Sequence, residues 1–565
     1  MTLSSASDAL PVRNYRVELV VSGGLLFAFG FSRMFRQWLF NEFDGIVGDP
    51  GDARIVIALL EHWYRTFIGN WSDWLNPPFF YPTRGALGFT DTYFLYAVGY
   101  APLRLAGIDP FTAFMLVMAA LSAIGFFGFM RLAIADLRIS PASAAVGAFL
   151  FTFANMMAVK MGHAQSYCIM LLPLVVHLTA TAFKTEQKRK AITAAAAAGL
   201  LHGLIFVTAY FTGWFATFFG IVFLLIFAAL SGARATRDVL VQAVTIKRHV
   251  LTAWATGFAV GIIPFVIVYG PIWLHGYRRS FHEVLHYAPS FSDIINVGPQ
   301  NWAWSWLLRH LRIVGLPNRV DGEIDLGFTP GVVAACAAAT IFAMRSWRQT
   351  ASHTADTRTV AAIALGFSLV ACWLLQLSWF GLQPWYVIWT LVPGASAVRT
   401  TFRFQIVLNL GAAMLAALAL DHIRHRLRPR GRLAAASATA LVAGVLVVEQ
   451  ISRAPVTFSR AEQLAWLQRV PPPPVNCRVF YLAPGAVPAG DAWWVAQSDA
   501  MLLAVRLGIP TVNGNSSIYP AHWRLKDPSA PDYREALQDW LALNGISADL
   551  CGLRSPTGPW AEGAP

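Results

Sequence analysis

The chain has 565 residues, 56% of them hydrophobic and 13% charged, with a mean hydropathy of +0.51. Soluble domains carry about 25% charged residues, so half that share excludes an ordinary soluble enzyme and points to a polytopic α-helical membrane protein. The formal net charge of +13 does not mark a nucleic-acid binder, because Lys and Arg gather in short stretches between apolar segments, where they report membrane topology; no nucleic acid is expected as a partner.

The first apolar segment, 16–35, is followed by "SRMFRQWLF" rather than a small-residue cleavage site, so it reads as an uncleaved anchor. A hydrocarbon core of about 30 Å takes about 20 apolar residues in a helix. By that length further spans are expected near 110–131, 141–160, 165–183, 192–209, 212–230, 250–271, 329–345, 359–378, 400–420 and 434–451, about eleven in all. Threaded alternately from a cytoplasmic N-terminus, they put the basic linkers 131–138, 184–190, 233–249, 345–358 and 421–432 on one side, as the positive-inside rule requires. The stretch 92–107 is short and holds Pro102 and Arg104. Counting it as a span would reverse every later linker, so an interfacial helix is expected there.

Between the first two spans runs a long outer loop, 36–109. Its stretch "DARIVIALLEHWYRTFIG" puts Ile55, Leu59, Trp63 and Phe67 on one stripe and Arg54, Glu61 and Arg65 off it. That pattern predicts an amphipathic helix lying on the membrane surface, and the aromatics of "WSDWLNPPFFYP" favour the headgroup level. Asp49-Pro50-Gly51-Asp52 is a helix start, with Asp49 as N-cap and Asp52 in the first turn. The same geometry keeps a carboxylate ionised and oriented, ready to accept a proton from a hydroxyl. Spacing leaves capping and catalysis both open. Asp44 and Asp91 add carboxylates near the interface, and His62, beside Glu61, is either an acid–base assistant or a polar-face histidine.

Further along, "KMGHAQ" sets Lys160 and His163 at the outer end of a span, either to contact a phosphate or as an interfacial pair with no chemical role. A second outer loop, 272–328, offers Glu283 beside Arg278 and Arg279, among aromatics. In "AVRTTFRF", Arg399 and Arg403 stand four residues apart, on one helix face at the outer boundary. Two guanidiniums there clamp a phosphate or snorkel to lipid headgroups. After about 452 the membrane pattern stops. "VPPPPV" is a stiff boundary, followed by a strand in "CRVFYLAP", a helix in "EALQDWLALNGI" and a strand in "ADLCGLR", which together read as a small α/β domain. Cys477 and Cys551 fall near those strands, a placement that permits a disulfide without fixing one. No phosphate-binding glycine loop, nucleophile elbow or zinc spacing occurs.

A first membrane helix, a long acidic outer loop with interfacial helices, many further spans and a soluble outer C-terminal domain resemble the GT-C superfamily of polyprenyl-phosphate-sugar-dependent glycosyltransferases. More narrowly, "GDPGDAR", "EH" (61–62), "PPFFYP", Thr90-Asp91 and "PGASAVRTTFRF" resemble a bacterial YfhO-like branch. The resemblance spans most of the chain on diffuse motifs. It implies a GT-C-like transmembrane domain over 1–451 and an extracytoplasmic α/β domain over 452–565. It further implies a multi-pass protein of the bacterial inner membrane, N-terminus cytoplasmic and C-terminal domain periplasmic. The implied reaction moves a sugar from a polyprenyl-phosphate donor to a lipid, glycan or protein acceptor on the outer face. By position the base falls on Asp49 first and Asp52 second; Arg399 and Arg403, with Lys160 and His163, fall at the donor phosphate. Where members use a divalent cation, Asp49 and Asp52 are the residues to hold it. "DAWWVAQSDA" departs from the oligosaccharyltransferase WWD-type motif, so protein N-glycosylation is not implied. The competing reading is a transporter or lipid-linked-saccharide flippase. Pro173 and Pro264 would suit its broken helices, but spans nearly free of acidic residues argue against it.

Overall fold

The computed structural model describes residues 12–313, 323–349, 356–378, 381–453, 456–487, 492–547, 549–555 and 558–563. Among these residues ten helical segments are long and apolar enough to cross a membrane: Val17–Met34, Pro110–Leu137, Pro141–Val159, Ala164–Lys184, Lys188–Thr208, Tyr210–Ser231, Arg248–Leu274, Pro330–Gln349, Thr357–Gln376 and Thr401–Arg430. An eleventh apolar helix, Arg432–Val448, has 17 residues, about 26 Å at 1.5 Å per residue. Each expected span therefore has its helix. The helix Phe94–Leu105 has 12 residues, about 18 Å, too short to cross, so the alternation is undisturbed.

Long-range contacts test that alternation independently. Gly45–Val47, before the second span, pairs antiparallel with Thr457–Ser459, after the eleventh. Lys160, after the third span, meets Glu323, before the eighth. Arg279 donates its backbone N–H to Ser396 O across the eighth and ninth spans. An even number of crossings separates the partners each time, so all these segments share one face. Linkers 131–138, 184–190, 233–249 and 421–432 fall on the other; of the remaining basic linker, 345–358, residues 350–355 lie outside the described residues.

The loop helix, Pro50–Phe67, corrects one expectation. It does not lie along a bilayer surface: Val56 to Trp63 are all buried, because the tail helix Trp493–Leu507 and the helix Phe94–Leu105 pack against it. The amphipathic pattern correctly marked an apolar stripe but not what covers the polar side, which protein covers through compensated charges. Arg54 is ion-paired with Asp499, donates to Gln463 Oε1 at 2.6 and 2.8 Å, and lies 5.0 Å from the Trp466 ring. Glu61 accepts from Tyr100 Oη at 2.6 Å and from Arg104 Nε at 2.5 Å. "PPFFYP" likewise leaves the headgroups. Phe79 and Phe80 are buried, and the backbone of this stretch bonds the tail through Phe80 N to Asn513 O and Tyr81 N to Thr511 O.

In the C-terminal region, strands Val479–Leu482, Leu550–Leu553 and Trp560–Glu562 form a three-stranded sheet, the first pair parallel and the second antiparallel. Cys477 and Cys551 form a disulfide with Cα atoms 5.6 Å apart; the register that pairs Val479 with Leu550 brings them together. One continuous apolar core runs from the spans through the first outer loop into this sheet.

Candidate functional site

A cavity of about 560 Å³ opens among the shared-face ends of the spans. Three helices wall it with aromatics: Phe206 from the fifth span, Tyr210, Phe211 and Trp214 from the sixth, Phe265, Tyr269 and Trp273 from the seventh. Its polar rim comes from elsewhere: Asp91 from the first loop, Arg279 from the second, Arg399 and Arg403 from the approach to the tenth span, and Ser517 from the C-terminal region. Aromatic walls with a few convergent charges are the usual composition of a site for an amphiphile with a charged head.

The two arginines meet there for a different reason than their spacing suggested. Val398 and Thr400 are extended, a 3₁₀ turn covers Thr401–Arg403, and the α-helix begins only at Phe404. Arg399 and Arg403 therefore do not share a helix face, yet both line the cavity. Their charges are held differently. Arg403 forms a two-point ion pair with Glu323, its Nε 2.8 Å from Oε2, and sits over the Phe211 ring at 5.7 Å. Arg399 stacks on Tyr287 at 5.2 Å, with no carboxylate partner within ion-pair reach among the described residues. Arg279 donates to Ser517 O at 2.5 Å, with Glu283 Oε2 at 3.8 Å.

Beside the cavity lies a charge cluster centred on Glu323. Lys160, 1% exposed, reaches Glu323 Oε2 at 2.9 Å. His163 Nε2 stands 3.5 Å from Glu323 Oε1 and 3.6 Å from Asp52 Oδ2. The break between the helices ending at Val159 and beginning at Ala164 holds both Lys160 and His163 in a turn. Neither these two nor Glu323 and Asp52 are among the cavity-lining residues; the cluster meets the cavity through Arg403, which pairs with Glu323. Burial alone would raise Glu323, yet Arg403, His163 and Lys160 together hold its carboxyl far below the ordinary range. Burial lowers the His163 imidazole, Lys160 adds to that, and Glu323 opposes.

The two aspartates of the helix start are held differently. Asp49 is the N-cap: its Oδ1 accepts from Gly51 N at 2.8 Å and Asp52 N at 3.1 Å. Asp52 keeps 42% of its side-chain surface exposed and turns Oδ2 to His163. The protein mass around it raises its carboxyl above the ordinary value, against the pull of His163, with Asp49 pushing the same way as burial. Asp91 accepts from Tyr210 N at 2.9 Å, and burial pushes its carboxyl up to about 6 against that bond and Arg403.

The remaining candidates stand apart. Asp44 accepts from Ala461 N at 2.6 Å and fastens the first loop to the tail. His62 is buried among Trp63, Trp71 and Trp74, with Nε2 2.9 Å from Trp74 O; burial lowers it to about 4, so it is neutral. Glu283 is a partner of Arg279 at the rim. Among the described residues no three His, Cys, Asp or Glu side chains converge as a metal site. Asp49 Oδ1 is committed to the helix N-terminus, and Asp49 Oδ2 and the Asp52 carboxylate are the oxygens through which this pair would hold a cation. Sequence reasoning missed Glu323, whose partners lie 80 and 163 residues away, and the aromatic wall, which within spans is indistinguishable from lipid-facing residues.

No protein-family model matches this chain, and no curated protein matches it. Several solved structures resemble it, three of them as follows. The mycobacterial arabinofuranosyltransferase AftD (R1389S mutant) is 16% identical with a TM-score of 0.49, covering 91% of this chain and 34% of its own. ArnT from Cupriavidus metallidurans bound to undecaprenyl phosphate is 13% identical, TM-score 0.41, covering 89% and 86%. The Archaeoglobus fulgidus oligosaccharyltransferase in complex with zinc and sulfate is 13% identical, TM-score 0.45, covering 88% and 62%. The chain spans about a third of the length of the AftD structure.

Proposed function

We propose that this protein is a GT-C-type membrane glycosyltransferase that takes a sugar from a polyprenyl-phosphate donor and passes it to an acceptor on the periplasmic face of a bacterial inner membrane. In this reading the transmembrane part is 1–451, the extracytoplasmic α/β part is 452–565, and the N-terminus is cytoplasmic. The observation that carries it is the cavity: aromatic walls drawn from three of the apolar spans, ending at Arg399, the rim cation without an ion-pair partner among the described residues. Arg399 accepts the donor phosphate as a charge-assisted contact, and Arg403, fixed by Glu323, lends its field.

The chemistry is a displacement at the anomeric carbon. An acceptor hydroxyl oxygen forms the new bond to that carbon while the bond to the phosphate oxygen breaks and polyprenyl phosphate leaves. Asp52 takes the hydroxyl proton; Asp49 holds the helix start that aims it, and Asp91 and Arg403 shape the field at the donor head. Lys160 and His163 are positioning residues: through Glu323 and Asp52 they fix the charges on either side of the reacting bond.

The test is purified protein in vesicles with radiolabelled polyprenyl-phosphate sugars. Sugar transfer that is lost in Asp52→Asn and weakened in Arg399→Ala is expected. Movement of the labelled lipid across the bilayer without cleavage of its sugar–phosphate bond would replace the reading with a flippase.

A further inference from the structure

Between the sixth and seventh spans, on the face opposite the cavity, the chain forms one more helix, Ala233–Thr245. Gly232, at φ +82°, ends the sixth span and turns the chain away from it, and the seventh span begins at Arg248. Both ends of the helix are thus tied to the mouth of a membrane crossing. None of its residues is buried, and Val239, Leu240, Val244 and, just past its end, Ile246 are 59–63% exposed.

Two residues seven apart fix how the helix is turned. Thr236 Oγ1 donates to Ala228 O at 3.0 Å, in the last turn of the sixth span, and Ala243 is half-buried as the helix packs on the two spans it joins. Residues three and four apart share a helix face, so Val239, Leu240, Val244 and Ile246 flank the line from Thr236 to Ala243 and the apolar face turns toward the membrane. Arg234, Asp238, Gln242 and Thr245 occupy the opposite face, where Val241 is the one apolar residue; Arg237 stands at the boundary, next to Leu240 and Val244. Lipid is what lies on the apolar side. The sixth span exposes Ile221, Leu224 and Leu225 within about three turns of its end, so hydrocarbon reaches the rim over which Val239 and Val244 project.

Charge selects the kind of lipid. Segments 184–190 and 233–249 hold eight Lys and Arg against Glu186 and Asp238, and Lys247 Nζ ties the two segments together by donating to Thr185 O at 3.2 Å. Of these cations only Lys184 is ion-paired among the described residues, with Asp136 at 2.8 Å. We infer that Ala233–Thr245 is an in-plane anchor: its apolar face lies in the interface of the leaflet opposite the cavity, and the cations around it bind anionic phospholipid headgroups there. An apolar face seats such a helix at the acyl boundary, and Arg and Lys beside it gain from a negative surface. A soluble partner would meet Arg234 and Gln242 instead of the apolar face. The inference makes no use of the transfer chemistry.

The experiment uses the full-length protein, one chain per nanodisc, in phosphatidylglycerol, with nitroxides at Val239→Cys, Val244→Cys, Asp238→Cys and Gln242→Cys and the unsubstituted protein as blank. The Val239 and Val244 labels are expected to collide with oxygen, which concentrates in hydrocarbon, and the Asp238 and Gln242 labels with a water-soluble nickel chelate. In mixed discs a fluorophore at Val244→Cys should be quenched more by brominated phosphatidylglycerol than by brominated phosphatidylcholine, and Arg237→Gln should lower that preference about fivefold. Val239 and Val244 labels as open to the nickel chelate as Gln242, or equal quenching by the two lipids, overturns the inference. So does nickel-open labelling in one-chain discs combined with Val239→Cys cross-links between copies in native membranes, which would assign the face to a second copy of the chain.

Discussion

Arg399 and Arg403 show how two like residues on one cavity rim come to different work. Arg403 spends its fork on Glu323, whereas Arg399 has only the Tyr287 ring. Removing Arg399 should therefore cost one charge-assisted contact, about 2 kcal/mol, and raise donor KM about 30-fold; Arg399→Lys should recover part of it as a point charge. Steady-state kinetics against donor concentration check this. With Asp52 as the proposed base, the acid limb of kcat/KM is expected to follow its ionisation. Since its carboxyl is raised from 3.8, that limb falls above the ordinary aspartate range, and Asp52→Asn removes it with the activity. Asp91 gives a stability signature of known sign. Its folded-state value of about 6 lies above the unfolded 3.8, so ionising it penalises the fold: nothing below pH 3.8, increasingly through pH 6, fully above. Asp91→Asn keeps the acceptor for Tyr210 N–H and removes the charge. It should raise the thermal midpoint at pH 8 by the equivalent of about 3 kcal/mol and change nothing near pH 4.

Among the elements, the loop helix and the tail helix are joined by the buried Arg54–Asp499 pair, with Gln463 taking the rest of the guanidinium. Burial pushes Asp499 up to about 7 against the pull of Arg54, so the cation is what keeps this carboxyl tolerable in the core. Arg54→Leu strands it and should cost about 3–5 kcal/mol, read as a lower melting temperature. In Arg54→Leu/Asp499→Leu, with both charges gone, much of that loss should return. Were the two helices in loose contact only, the single and double variants would melt alike. The same packing explains why a helix with a surface-helix pattern sits in the interior. Glu61 and Arg54 looked like a solvent face until Arg104, Tyr100 and Asp499 supplied their partners.

On the scale of the whole molecule, every cavity and cluster segment is separated from the others by an even number of crossings, so the site is assembled wholly on one face. An impermeant thiol reagent applied to right-side-out vesicles should label Asn70→Cys and Arg524→Cys together and spare Arg189→Cys. Labelling of Arg189→Cys in place of the other two would reverse the orientation on which the periplasmic reading depends.

The span pattern was legible because it is local: about 20 apolar residues, bounded by Arg and Lys, specify a crossing whatever the rest of the chain does. The helix start at Asp49-Pro50 was legible for the same reason, since a cap is settled within four residues. Neither the Glu323 cluster nor the aromatic cavity has such a signal. Lys160, Glu323 and Arg403 meet only after the spans pack, and in a greasy helix Phe211 and Trp214 look the same whether they face lipid or a cavity. The sequence alone determined the membrane architecture, the alternation and the candidate charges of the site's face other than Glu323. Tertiary structure decided which of those charges neutralise one another and which is left for a ligand, because ion pairing acts over a few ångströms in space and takes no account of distance along the chain.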